Sequence, residues 1–100
     1  MQLTDIVNFL ECKKVYIFNK KSLHFNYIFT NSKDVKKSSI FIVKNNNKKN
    51  RIYIEEAINN GAVAILTKKY FPNVMVNQYL VEDIEYSIKK LLENLFPKKP

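Results

Sequence analysis

The chain contains one glycine, Gly61, and its setting constrains the fold more than any other feature. It follows Tyr53-Ile54-Glu55-Glu56-Ala57-Ile58-Asn59-Asn60. In that stretch Ile54, Ala57 and Ile58 share one face of a helix, while Glu55, Glu56, Asn59 and Asn60 are expected to face water. Helices commonly end on a residue in the left-handed conformation, which costs glycine little and a β-branched residue a great deal. Ala62 to Thr67 then reads as a short apolar run of the kind buried inside a sheet. A helix, a glycine stop and a buried strand make half of an α/β unit.

At 100 residues the chain has the size of one domain and can bury a core without disulfides or metal. Hydrophobic residues at 46% and charged residues at 26% place it among ordinary globular chains. No apolar run approaches the length of a membrane span, and the start lacks the charged-then-apolar pattern of a signal peptide. The single cysteine, Cys12, has no internal disulfide partner, which fits a reducing cytoplasm. The formal net charge of +8 is carried almost wholly by lysine, with Arg51 the only arginine. Such a charge attracts nucleic acid and anionic surfaces. Lysines scattered in pairs from end to end, however, read as a solvated face.

Taken in order, Leu3-Thr4-Asp5-Ile6-Val7-Asn8-Phe9-Leu10-Glu11 predicts a short helix capped by Thr4 or Asp5, with Leu3, Ile6, Val7 and Leu10 inward. Strands are expected at 15–18, at 25–29 and, most clearly, at Ile40-Phe41-Ile42-Val43. Polar loops separate them at 30–39 and 44–50, and asparagine in the second can take left-handed conformations that glycine would otherwise supply. Pro72-Asn73 turns the chain before at least one strand between Val74 and Val81. Glu82 or Asp83 then starts the longest helix, whose stripe is Ile84, Ile88, Leu91, Leu92 and Leu95. Pro97 stops it. The expected fold class is α/β: a small mixed β-sheet of about four to five strands packed with two to three helices.

Chemistry-bearing patterns are sparse. One glycine cannot supply a Walker phosphate loop or a dinucleotide fingerprint. His24 and Cys12 are each the only residue of their type, which excludes a His/Cys metal cluster. A Cys12–His24 nucleophilic pair has the residue types but no motif; Cys12 packed behind the first helix and His24 exposed in a turn is the simpler reading. The carboxylates Glu55, Glu56, Glu82, Asp83 and Glu85 fall at helix surfaces or caps. Tyr16, Phe18, Phe25, Tyr27 and Phe29 alternate within strands and read as core, since no RNP-like Gly-Phe motif accompanies them. The residues themselves identify no catalytic group and no metal ligand.

The order of the pieces does carry a resemblance. Thr30-Asn31-Ser32-Lys33-Asp34-Val35, then Ser38-Ser39-Ile40-Phe41-Ile42-Val43, then Tyr53 to Ala64 resembles the N-terminal domain of the Mur ligases. Their pattern reads T-D-S-R-x-V-x-x-G-D-L-F-V-A, a loop with G and D-G-H, then F-I-x-x-A-x-x-x-G-A-V-A. Val81-Glu82-Asp83 before an amphipathic helix is similar too, and Phe96-x-x-x-Pro100 resembles the segment that precedes the central ATP-binding domain, most like the MurE branch. The resemblance covers 28–100, and residues 1–27 match only in general layout. It implies a single domain over 1–96, with 97–100 the start of a linker to a central ATP-binding domain.

By the same resemblance the domain would anchor the uridine diphosphate end of UDP-N-acetylmuramoyl-L-alanyl-D-glutamate. The parent would be a cytoplasmic, ATP-dependent ligase of peptidoglycan and cell-wall synthesis, with ATP and Mg²⁺ bound by its other domains. Those central and C-terminal domains would be its partners, with no role for a membrane or nucleic acid. The substrate-binding residues implied are Thr30, Ser32, Asn46, Asn47 and Lys48, with hydroxyls and amides toward uracil and Lys48 toward the diphosphate. The chain departs from the pattern where Asn31 and Lys33 replace Asp and Arg, where Ser38-Ser39 replaces Gly-Asp, and where Asn46 and Asn50 replace loop glycines. Two other readings remain beside it: a basic nucleic-acid-binding module, and a relic domain that keeps the fold without the ligand.

Overall fold

The structure is a computed structural model of the chain and describes residues 6, 10, 12–18, 24–45 and 47–95. Five strands form one mixed sheet: β1 (Cys12–Tyr16), β2 (Tyr27–Phe29), β3 (Ser39–Ile42), β4 (Ala62–Thr67) and β5 (Asn77–Val81), in the spatial order β1-β5-β4-β3-β2. Strands β2 to β5 run parallel to one another, and β1 pairs antiparallel with β5 at the edge. Helix α1 (Asn50–Asn60) joins β3 to β4, and α2 (Ile84–Leu95) follows β5. The α/β mixed sheet expected from the sequence is the one observed.

Alternation along β3 explains why both layers are needed. Ile40 and Ile42 enter one core with Ala64, Leu66, Tyr79 and Val81. That core is closed by Ile84 and Leu91 of α2 and by Ile6, Leu10 and Phe25. Phe41 and Val43 enter the other core, with Ile65 and with Ile54 and Ala57 of α1. A parallel sheet buried on both faces has no solvated side, so its strands read as continuous apolar runs. Asp83 caps α2, its Oδ1 accepting the Tyr86 N–H at 3.0 Å.

Gly61 ends α1 with φ 118° and ψ 11°, in the left-handed region. A second constraint acts at the same residue. A Cβ built there would lie 2.7 Å from the Cα and N of Lys37 in the β2–β3 connection. Glycine is therefore needed both for its φ and for the close approach of another backbone.

The connection from β4 to β5 carries no helix. Its place is fixed by Gln78, a buried residue of β5 whose Oε1 accepts the Phe71 N–H at 2.9 Å. The Gln78 Nε2 donates to the Phe71 carbonyl at 2.7 Å. Asn73, after Pro72, takes φ 62° to complete the turn, and the Arg51 guanidinium donates to the Pro72 carbonyl.

Several expectations shift. The first strand is Cys12–Tyr16 rather than 15–18, because the ladder ends at Tyr16↔Gln78 and the Asn77 side chain takes the Phe18 N–H at 2.8 Å. Phe18 and Tyr27 are 59% and 39% exposed, and of Tyr16, Phe18, Phe25, Tyr27 and Phe29 only Phe25 is fully buried. Tyr27 instead stacks on Phe29 beside the Lys36 ammonium. Helix α1 starts at Asn50, a turn earlier than Tyr53. Of the N-terminal helix, Ile6 and Leu10 lie in the core and are joined by a helical hydrogen bond of 2.9 Å. Its other residues, like Pro97 and the 97–100 segment, lie outside the described residues.

Gly61→Ala is expected to cost about 2 kcal/mol or more, from the positive φ and the clash with Lys37. Thermal unfolding should show this as a fall in Tm of roughly 8 °C or more; an unchanged Tm would refute the close approach. Gln78→Leu, which keeps the bulk and removes both hydrogen bonds, should cost about 2–4 kcal/mol in urea unfolding by stranding two buried backbone groups.

Candidate functional site

Because β2, β3 and β4 are parallel, the residues that follow them emerge together at one end of the sheet. Ligand sites of open parallel sheets lie outside the carboxyl ends of the strands. At that end lies a cleft of about 550 Å³, walled by Thr30, Ser32, Lys33, Lys44, Asn47 and Tyr53 among others. A second hollow of about 230 Å³ shares Val43, Lys44, Asn45 and Asn50 with it and continues to Thr67, Lys68 and Lys69. The two together make a groove across the ends of three strands.

The wall from β2 is built by local hydrogen bonding. Asn31 caps a short 3-10 helix at Ser32–Asp34, its Oδ1 accepting the Lys33 N–H at 3.0 Å. Asparagine thus keeps the acceptor that an aspartate would offer there. The buried Ser32 is held from α1 at two points. Its hydroxyl donates to Glu56 Oε1 at 2.5 Å, and its carbonyl accepts from Asn60 Nδ2 at 3.0 Å. Glu56 and Asn60, expected simply to face water, pin the 3-10 helix to α1 instead. The next turn needs a left-handed residue, and Ser38 supplies it at φ 62°. The fully buried Ser39 closes that turn, its Oγ donating to the Lys36 carbonyl at 2.6 Å.

The wall from β3 is the asparagine-rich loop. Asn47 Oδ1 accepts the Lys49 N–H at 2.8 Å, and the Asn47 carbonyl accepts the Asn50 N–H at 3.1 Å. Asn50 Nδ2 donates to the Asn45 carbonyl at 2.6 Å. Among the described residues, the non-glycine residues with positive φ are Ser38 and Asn73, so Asn45, Asn47 and Asn50 do not replace glycine through left-handed backbone. Asn47 and Asn50 close the loop through side-chain bonds, the latter to the Asn45 carbonyl, which an asparagine amide can make and a glycine cannot.

Of the residues expected to bind substrate, Thr30, Ser32 and Asn47 line one cleft. Lys48 is exposed on the turn that Asn47 closes and is not among the cleft's lining residues. Asn46 lies outside the described residues. The cations that do line the cleft are Lys33 and Lys44, and the groove adds Lys68 and Lys69. Lys44 also meets Glu85 at 3.2 Å across an exposed pair. Sequence reasoning passed over Lys44 and Lys68, although both lie within two residues of the ends of buried parallel strands, and that position was the available signal. Tyr53, in the first turns of α1, adds a half-buried ring to the wall.

Elsewhere the chemistry is quiet. Cys12 opens β1 opposite Val81, and burial pushes its thiol up, away from a reactive thiolate. His24 is exposed. No group of three His, Cys, Asp or Glu side chains among the described residues is placed to hold a metal ion.

Asn50→Ala is expected to cost about 1 kcal/mol in urea unfolding. Hydrogen exchange should quicken at the Lys49 and Asn50 amides, and an unaltered exchange pattern would show that the loop closes without that side chain.

No family model matches the chain. It is 33% identical over 81 residues to the UDP-N-acetylmuramoyl-L-alanyl-D-glutamate--2,6-diaminopimelate ligase of Rickettsia typhi, a match covering 80% of this chain and 16% of that protein. The ligase of the same name from Rickettsia prowazekii is 35% identical over 72 residues, covering 71% of this chain and 15% of that one. Among solved structures, MurF from Acinetobacter baumannii superposes with a TM-score of 0.57 over 73% of this chain and 16% of its own, at 14% identity. That likeness is one of fold alone. The chain spans about 16% of the length of the curated relative from Rickettsia typhi.

Proposed function

We propose that this chain, whose sequence relatives are UDP-N-acetylmuramoyl-L-alanyl-D-glutamate--2,6-diaminopimelate ligases, is the substrate-anchoring domain of a MurE-like ligase and holds the uridine diphosphate end of UDP-N-acetylmuramoyl-L-alanyl-D-glutamate. The observation that carries the reading is the cleft that gathers Thr30, Ser32 and Asn47 with Lys33 and Lys44. Hydroxyls and amides suit the polar edge of a base and ribose, and lysine suits a diphosphate as a point charge. The domain's contribution is positional. It fixes one end of a long substrate so that the peptide end reaches reacting groups carried by other domains.

ATP and Mg²⁺ would supply carboxylate activation in the whole ligase. The residues described in this chain offer neither a phosphate loop nor a metal cluster to hold them. The chain alone is therefore expected to show no ATP hydrolysis or ligation. The same reading assigns it to cytoplasmic cell-wall precursor synthesis. No helix among the described residues is long and apolar enough to cross a membrane.

Titration with UDP, followed by amide chemical shifts, tests the reading. The amides of Thr30, Ser32, Lys44 and Asn47 are expected to move first. The dissociation constant should lie nearer millimolar than micromolar, about −4 kcal/mol, since an isolated anchoring domain offers only part of a substrate's contacts. Uridine should bind more weakly than UDP, and Lys33→Ala with Lys44→Ala should remove that difference. Still amides at saturating UDP would overturn the reading in favour of a domain that has kept the fold and lost the ligand. RNA or DNA binding that persists above about 200 mM salt would overturn it in favour of a nucleic-acid module.

A further inference from the structure

The glycine that ends α1 is preceded by Asn60, and the fold commits both residues. Asn60 holds the Ser32 carbonyl through its Nδ2, and Gly61 has no room for a side chain against Lys37. Asn-Gly is also the pair in which a side-chain amide is most readily lost without an enzyme, because glycine puts no Cβ in the way when its nitrogen approaches the preceding side chain. Gly61 is the only glycine, so every other asparagine is followed by a residue that carries a Cβ.

The chemistry needs only water and hydroxide. The Gly61 backbone nitrogen gives up its proton and bonds to Asn60 Cγ. The Cγ–Nδ2 bond breaks, and Nδ2 takes a proton and leaves as ammonia. Water then opens the five-membered imide at either carbonyl, leaving aspartate or isoaspartate at position 60.

In the folded chain both reacting groups are occupied. The Gly61 N–H donates to the Ala57 and Ile58 carbonyls, the latter at 3.1 Å, while Nδ2 is held at 3.0 Å from the Ser32 carbonyl. Asn60 is nevertheless exposed, so water and hydroxide reach it. Ring closure waits on a local opening in which the last turn of α1 comes away from the 3-10 helix and the β2–β3 connection.

We propose that Asn60-Gly61 is a self-modification site, gated by the contact between α1 and the 3-10 helix, and that loss of the Asn60 amide releases that wall of the cleft. An aspartate at position 60 only accepts hydrogen bonds and would face the Ser32 carbonyl, another acceptor. It would also stand one helical turn from Glu56, whose carboxylate already holds the Ser32 hydroxyl. Isoaspartate lengthens the backbone by one methylene directly before Gly61, where not even a Cβ fits.

Peptide mapping by mass spectrometry, after incubation in mildly alkaline buffer, reads the site and its gate. The gain of an acid for an amide is expected at Asn60 ahead of every other asparagine. The folded chain should convert at roughly a tenth or less of the rate in guanidinium chloride, since only the open fraction reacts. Glu56→Ala loosens the 3-10 helix and leaves Asn60-Gly61 intact, so it should speed conversion of the folded chain several-fold. Gln78→Leu, which weakens the fold away from that contact, should leave the rate unchanged. Asn60→Asp encodes one product directly; hydrogen exchange should quicken at the Asp34 and Val35 amides of the 3-10 helix and stay unchanged at Ser87 in α2. Conversion at another asparagine first, or equal rates with and without denaturant, would overturn the proposal. So would equal acceleration by Glu56→Ala and Gln78→Leu, or unaltered exchange at Asp34 and Val35 in Asn60→Asp.

Discussion

The C-terminal end of α1 lies so close to the β2–β3 connection that no Cβ fits between them, and the rest of the structure depends on that approach. Gly61 permits it, with Lys37 backbone atoms where a side chain would begin. Once the two backbones are this near, Asn60 reaches the Ser32 carbonyl and Glu56 reaches the Ser32 hydroxyl. The 3-10 helix is thereby fixed to α1, and one wall of the cleft is set by a helix whose other face builds the core through Ile54 and Ala57. A helix stop and a cleft wall are usually separate problems; in this chain one glycine serves both.

The chain manages its other turns without glycine. Ser38 and Asn73 take left-handed backbone themselves, at an energetic cost that glycine would avoid. Buried or local hydrogen bonds offset it: Ser39 closes the turn after Ser38, and Gln78 holds Phe71 just before Pro72-Asn73. In the loop after β3 the asparagines contribute side-chain bonds instead.

The fold was legible wherever a local rule and the tertiary packing agreed. Ile54, Ala57, Gly61 and the Ala62–Thr67 run state a helix, its stop and a buried strand by periodicity and backbone preference, and the structure reproduces them. Legibility failed where the deciding partner is distant in sequence. The end of β1 is set by the Asn77 side chain, 59 positions from Phe18, and no window around Tyr16 contains that information. Glu56 looks solvated in any helical projection because its partner, Ser32, is 24 residues away. At the site, the family pattern led to Thr30, Ser32 and Asn47. The cations in the wall follow instead from strand order, which places Lys44 and Lys68 side by side only once β3 and β4 are known to be parallel.

Charge gives the complementary lesson. The net charge of +8 suggests a polyanion partner when counted, yet the structure spreads it over ordinary surface contacts. Lys13, Lys44 and Lys90 meet Glu82, Glu85 and Glu93, while Lys14, Lys36 and Lys69 lie over the rings of Tyr16, Tyr27 and Phe71. Exposed pairs of this kind contribute little to stability and are screened by salt. The groups in the cleft differ in kind. Asn31 and Asn47 are oriented by backbone N–H groups and Ser32 by the Glu56 carboxylate, and salt does not screen such bonds as it screens a solvated ammonium.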